Sequence, residues 1–228
     1  MIIGIIGAME SEMANLINGL TNATKEIKSS QVFYKAMINK HEVIATTCGI
    51  GKVNSAISTT ILINSYQPDL IINVGIAGGG LGLKTKDILI ASEFSYSDFD
   101  TTAFGYQFGQ VPGMPLSFKA NSKYITIIKD VLTKLNLIYK EGYVLTGDQF
   151  LSTKKNLKNP LPEVFAVEME GTSIAHACYR LNTPFISIRI ISDILDCENH
   201  IENYAAFEQE ASALASNIAL KAVLEICK

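Results

Sequence analysis

Apolar positions along this chain recur with two different periods, and the alternation between them is the first structural signal. Short continuous apolar runs at 1–8, 43–47, 70–77, 88–91, 143–145, 164–167 and 185–191 read as buried strands. Between them lie stretches with an apolar residue every three or four positions. The segment 10–20 opens on Glu10 and Glu12, acidic residues that suit the N-terminal end of a helix dipole. A second helix carries Val53, Ile57 and Ile61 on its apolar face and closes near Gln67-Pro68. Tyr124, Ile128, Val131 and Leu135 mark a third, and Ile174, Ala177, Cys178 and Leu181 a fourth. Phe207, Ala211, Leu214, Ile218, Ala222 and Ile226 line one face of a long C-terminal helix. This order predicts an α/β layer architecture on a largely parallel sheet. The stretch 88–118 is rich in aromatics, Gly and Pro, has one short strand at its start, and reads as a long ordered loop of the kind that usually serves function. No repeat, linker or low-complexity segment divides the chain, so 1–228 is expected to form a single domain.

Composition narrows the function classes. The 228 residues are 48% hydrophobic and 18% charged, enough apolar content for a full core and too little charge for disorder. Nineteen basic residues against 22 acidic ones give a net charge of -3 without any block of like charge. Nothing here would follow a phosphate backbone or an anionic bilayer, so neither nucleic acid nor membrane is an expected partner. No apolar run approaches the roughly 18 to 20 residues of a spanning helix. The apolar start has no basic lead-in and no cleavage-type ending, and a cytoplasmic location is expected. Cys48, Cys178, Cys197 and Cys227 form no CxxC pair and read as reduced thiols.

Most common chemical motifs fail on spacing. Gly51-Lys52 lacks the glycine five places earlier and the following Ser or Thr of a phosphate-binding loop, and no GxGxxG fits 75–82 or 4–7. These glycines read either as tight turns or as bare backbone that lets a ligand approach strand ends. His41, His176 and His200 make no i, i+4 pair, and Cys197 with His200 stands alone, so neither metal nor cofactor is expected. There is no GxSxG elbow. The carboxylates say more. Glu12, Glu170 and Asp193 each follow the carboxyl end of an apolar strand, where ligands bind in α/β sheets, although each alone also reads as a cap. Arg189 interrupts an apolar run and needs a carboxylate or a polar cavity, with Glu12 and Glu170 as candidates.

A family resemblance rests on seven segments in order: Gly4 to Glu10 with Glu12, Cys48 to Val53, Ile72 to Gly79, Thr102-Ala103-Phe104-Gly105-Tyr106, Gly147-Asp148-Gln149-Phe150, Ala166-Val167-Glu168-Met169-Glu170-Gly171, and Arg189 to Asp193. Together they resemble the 5'-methylthioadenosine/S-adenosylhomocysteine nucleosidases. The resemblance implies a nucleoside phosphorylase-like α/β fold, a mixed central sheet flanked by helices, in a homodimer that cleaves the adenine-ribose bond with water. It implies that Asp193 protonates adenine N7, that Glu12 activates the water, and that Glu170 holds the ribose hydroxyls. Phe150 would stack on adenine, Leu151 would read its edge through backbone groups, and Met169 would lie against the sugar. Gly78 would admit the ligand to the backbone, and Arg189 and Ser192 would complete the binding set. Met9, Ile50 and, from a neighbouring subunit, Phe104 and Pro112 would surround the 5'-alkylthio group. Ile76 stands where the family usually has Ser, and Ser97-Asp98-Phe99-Asp100 where it has His-Asp-Ala-Asp. The family's tail-side aromatic does not align cleanly, and Asn203, Tyr204 and Phe207 are the candidates to face the tail pocket.

The chemistry is consistent with that division of labour. Adenine leaves poorly until protonated and the ribosyl centre gains positive charge, so an acid is needed at the base and an anionic base near the water. The apolar flanks Ile190, Ile191, Ile194 and Leu195 would shield Asp193 so that it keeps a proton. Three rivals share the fold: a phosphorylase, which needs cationic phosphate ligands beyond Arg189; an aminodeoxyfutalosine nucleosidase, with a larger and more polar tail pocket; and a non-catalytic nucleoside-binding protein, which would have no use for both Glu12 and Asp193.

Overall fold

The computed structural model describes the chain from Met1 to Lys228 except Asn199 and the side chains of His200, Ile201 and Asn203. Its strands are β1 (Ile2–Gly7), β2 (Thr24–Lys28), β3 (Gln31–Ile38), β4 (His41–Thr47), β5 (Leu70–Gly79), β6 (Ile88–Tyr96), β7 (Phe118–Lys119), β8 (Tyr139–Thr146), β9 (Phe165–Glu168) and β10 (Phe185–Ile194). The helices are α1 (Glu10–Gly19), α2 (Lys52–Tyr66), α3 (Ser122–Lys134), α4 (Gly171–Arg180) and α5 (His200–Ile226). All the strands join one sheet in the order β10-β6-β8-β9-β5-β1-β4-β3-β2, with β7 beside β6. Because β10 also pairs with β5, the strands β5, β10, β6, β8 and β9 close into a ring.

The sheet is mixed rather than largely parallel. Parallel pairings join β1 to β4 and β5, β5 to β10, and β8 to β6 and β9, while antiparallel pairings join β2–β3, β3–β4, β5–β9, β6–β7 and β6–β10. The half-buried hairpin β2–β3 supplies two of the antiparallel contacts, and its polar strands escaped the apolar pattern. Helices cover both faces. Ile3 and Ile5 of β1 pack with Met13 and Leu16 of α1, Ile128 of α3 and Ile218 of α5, whereas Ile6 faces Leu62 of α2 and Ile174 of α4. The alternation follows from the two-residue side-chain period of a strand buried on both sides.

Helix α2 presents a different face from the one its apolar spacing predicts. Ser55, Ser58 and Thr59 are buried with Leu62 and Ile63, and Ser55 Oγ lies 2.5 Å from Ser173 Oγ of α4. Small side chains let the two helices approach closely, and hydrogen bonds satisfy the buried hydroxyls. Val53 and Ile57 are left 70% and 52% exposed. Strand β6 runs on to Tyr96, five residues past the short strand 88–91 read from the sequence, so the long loop is confined to 97–117, with one short 3-10 turn at Thr102–Phe104. No described helix is long and apolar enough to cross a membrane.

Candidate active site

Register brings the strand ends together. In the β5–β10 pairing Gly75 lies beside Arg189 and Gly78 beside Asp193, with a register shift at Ser192; β9 then sets Val167 opposite Gly78 and Glu168 beside Thr146. A shift of this kind re-aims the side chains around it. The chain leaves β1 at Gly7 and turns at once into α1, which places Glu12 in its first turn. Around these ends lies a cleft enclosing about 560 Å³ of empty space, its open mouth included.

Glu12 is 2% exposed. Its Oε2 accepts from the backbone N–H groups of Ala8 (2.8 Å) and Met9 (2.9 Å), and its Oε1 from that of Ile76 (2.9 Å). Burial raises its pKa above the usual carboxylate value, while Arg189 and those three amides oppose the rise. A Cβ at Gly75 would sit 2.2 Å from Arg189 Nη1 and 2.5 Å from Glu12 Oε1, so only glycine leaves room for the two side chains there. Asp193 is buried too; its Oδ1 accepts from the Ser192 hydroxyl, and a Cβ at Gly78 would lie 2.9 Å from its Oδ2.

Glu170 has a pKa pushed up to about 8, first by burial and then by the neighbouring charge of Glu168. Its Oε1 accepts from Gly51 N–H at 2.7 Å. Gly51 holds φ at 98°, open to glycine at little cost, and so turns that amide inward at the start of α2. Asp148, which accepts from Lys52 N–H (2.9 Å) and donates its own N–H to Asp98 (2.9 Å), ties the loop carrying Phe150 to the same turn.

Of the residues singled out from sequence, Met9, Glu12, Ile50, Gly78, Phe150, Leu151, Met169, Glu170, Ser192 and Asp193 line this cleft together. Arg189 does not. It lies behind the wall, 1% exposed, and its charge partner is Glu168 at 2.7 Å rather than Glu12 or Glu170. Phe104 and Pro112 are exposed in the loop 97–117, away from the cleft lining, with Phe104 80% exposed. Tyr204 lines the cleft, its ring edge-on to Phe150 at 5.1 Å between centroids. Phe207 instead lies under the Lys86 ammonium, and the side chain of Asn203 falls outside the described residues.

Glu168 and Gln149 also line the cleft, two residues to which the sequence pattern assigns no role although both lie within the family-like segments 166–171 and 147–150. Glu168 ends a strand, just as Glu12, Glu170 and Asp193 lie at strand ends, and that position is its signal in the sequence. No Lys, Arg or His is among the described lining residues.

A family model described as the phosphorylase superfamily matches residues 2–225. A Staphylococcus aureus (strain MRSA252) 5'-methylthioadenosine/S-adenosylhomocysteine nucleosidase is 41% identical over 218 residues, 94% of this chain and 95% of the relative. The fold is similar to that of the S. pneumoniae 5'-methylthioadenosine/S-adenosylhomocysteine nucleosidase solved with a transition-state inhibitor, with a TM-score of 0.92 and 35% identity over 99% of this chain and 100% of that one. It is also similar to a futalosine hydrolase mutant from Helicobacter pylori, with a TM-score of 0.90 and 26% identity over 97% and 98% of the two chains.

Proposed function

The chain belongs to the phosphorylase superfamily and, within it, to the 5'-methylthioadenosine/S-adenosylhomocysteine nucleosidases, and from that premise we propose that it hydrolyses the N-glycosidic bond of both nucleosides and releases adenine. The observation that carries the choice of water over phosphate is the charge of the cleft. Among the described residues its lining offers buried carboxylates and no cationic side chain, and Arg189 is committed to Glu168. A phosphate dianion placed there would find no cation among the described lining residues to offset its loss of solvation.

In the proposed reaction Asp193 gives its proton to adenine N7 as the C1'–N9 bond breaks. Water attacks C1', and Glu12 takes the water proton. Asp193 ends as a carboxylate and Glu12 as an acid, so one proton has crossed the site and charge is conserved. Burial of Glu12 keeps it a competent base, and its three amide contacts hold it in place. Glu170 grips the ribose hydroxyls, Phe150 and Leu151 hold adenine, Met169 and Gly78 border the sugar, and Ser192 fixes the Asp193 carboxyl. Met9 and Ile50 receive the alkylthio group, and soft apolar groups of this kind suit a thioether without offering it a hydrogen bond.

The rest of this reading concerns setting. The whole chain acts as one domain in the cytoplasm, in methionine salvage, without cofactor. It works as a homodimer whose partner covers the exposed Val53, Ile57 and Phe104 and brings Phe104 and Pro112 to the tail end of the cleft. The test is adenine release in phosphate-free buffer from methylthioadenosine, S-adenosylhomocysteine, adenosine and aminodeoxyfutalosine. Release that needs added phosphate would turn the reading to phosphorolysis. A large preference for aminodeoxyfutalosine would turn it to the activity suggested by the futalosine hydrolase likeness.

A further inference from the structure

We propose that Glu168 is a positioning residue for this reaction: its carboxylate holds the first turn of α4, and with it Glu170, in register with Arg189 and with the end of β8. The proposal rests on the nucleosidase reading and adds to it a residue for which that mechanism has no use. Although Glu168 borders the cleft, both of its oxygens accept from the protein itself. Oε2 accepts from Arg189 Nη2 (2.7 Å), from Glu170 N–H (3.0 Å) and from Gly171 N–H (2.6 Å), and Oε1 accepts from the Thr146 hydroxyl. Each carboxylate oxygen has about two acceptor sites, so Oε2 is saturated by protein donors while Oε1 keeps one site beyond its bond from Thr146.

The partners explain what the contacts do. The two amides open α4, and one of them belongs to Glu170 itself, the residue assigned to the ribose. Thr146 ends β8, one residue before the segment 147–151 that carries Phe150 and Leu151, and its hydroxyl also accepts from Thr172 N–H at 2.8 Å. Arg189 is further tied to Asn73 Oδ1 on β5. One buried side chain therefore joins the sugar-binding acid, the buried cation and the root of the adenine loop. An anion at this point also complements the exposed amides of a helix N-terminus.

The test is Glu168→Gln. The amide keeps the length of the side chain, and its oxygen can accept from the α4 amides while its nitrogen donates to Thr146, but the charge that anchors Arg189 is gone. The variant is assayed for adenine release from methylthioadenosine and from its 2'-deoxy analogue, with kcat and KM separated and the melting temperature recorded. Loss of one charged hydrogen-bond anchor predicts a fall of roughly tenfold or more in kcat/KM for the ribo substrate. The deoxy substrate, which gives Glu170 less to hold, should lose clearly less. Equal losses on the two substrates, or full activity on both, would overturn the proposal. If Glu168→Gln does not fold, Thr146→Val removes the Oε1 contact alone from Glu168 and must show the same bias toward ribo loss, or the proposal fails. Absence of adenine release by the wild type on any nucleoside would instead overturn the nucleosidase reading, before any variant is compared.

Discussion

Replacing Arg189 by Met tests the electrostatics of the site most directly. The side chain is 1% exposed and forms a 2.7 Å ion pair with Glu168, which is itself almost wholly buried. Methionine fills most of the arginine stem volume, so the main loss is charge rather than packing. Removing one partner of a buried pair leaves the other uncompensated, at a cost of about 3 to 5 kcal/mol. For a chain of this length each kcal/mol moves the melting temperature by about 2 to 4 °C, which puts the expected fall at roughly 6 to 20 °C. Neutralising the orphan in Arg189→Met/Glu168→Gln should recover part of that fall. The same cation lowers the pKa of both Glu12 and Glu170.

Without it the two carboxyls rise further above their usual range. If Glu12 must be ionised to act as base, the acid limb of the kcat/KM profile then moves to higher pH. Calorimetry across the single and double variants, together with adenine release from pH 5 to 9, reads both effects. A single variant that melts within about 2 °C of wild type would refute the energetic argument, because exposed pairs have effects of that order and buried ones do not. An unmoved acid limb would remove Arg189 from the electrostatics of the base.

Three further perturbations probe separate parts of the site. Asp193→Asn and Glu12→Gln should each lower kcat by roughly 10² to 10⁴ while leaving substrate binding in place, read by single-turnover kinetics and calorimetric titration; half of wild-type activity in either variant would exclude that residue as acid or base. Glu170 has a folded-state pKa raised to about 8 from an ordinary value near 4.5, so its contribution to stability is fully present below the ordinary value and is lost as pH rises through about 8. Glu170→Gln should therefore flatten the decline in stability between about pH 4.5 and 8 by a few kcal/mol, and an unchanged slope in denaturant titrations would show that burial of this group is not costly. Phe104→Asp should weaken association and raise KM for methylthioadenosine together, measured by sedimentation at micromolar concentration and by steady-state kinetics; a wild-type monomer with full activity would sink the dimeric tail pocket.

How far the sequence discloses such a site depends on which surface a residue is read against. The strands β1, β5 and β10 are legible because burial on both faces turns them into continuous apolar runs, and a carboxylate just beyond such a run stands out. The hairpin β2–β3 is not legible in that way. Its strands are half exposed, and its turn uses Ser29 and Ser30 at φ 47° and 64° in place of the Asn-Gly that marks a hairpin in sequence. The buried face of α2 is not legible in its apolar spacing because a helix packed against another helix can bury serine and threonine, whose hydroxyls bond back to the backbone, while Val53 and Ile57 stay outside.

The partner of Arg189 was legible in kind but not in identity. A buried cation in a strand demands an acid, yet which of Glu12, Glu168 and Glu170 meets it depends on the registers β5–β10 and β8–β9, and those are fixed by contacts between segments more than twenty residues apart. The same dependence explains the two residues that stand apart from the cleft. Phe104 and Pro112 are exposed on a loop whose Phe99, Val111 and Met114 pack onto the core, and in the proposed dimer the second copy is what covers them. In the proposed dimer one chain carries the acid, the base and the sugar-binding carboxylate while the second copy closes the thioether end of the cleft, so that selectivity between a methylthio tail and a hydroxyl would be a property of the assembly rather than of one chain.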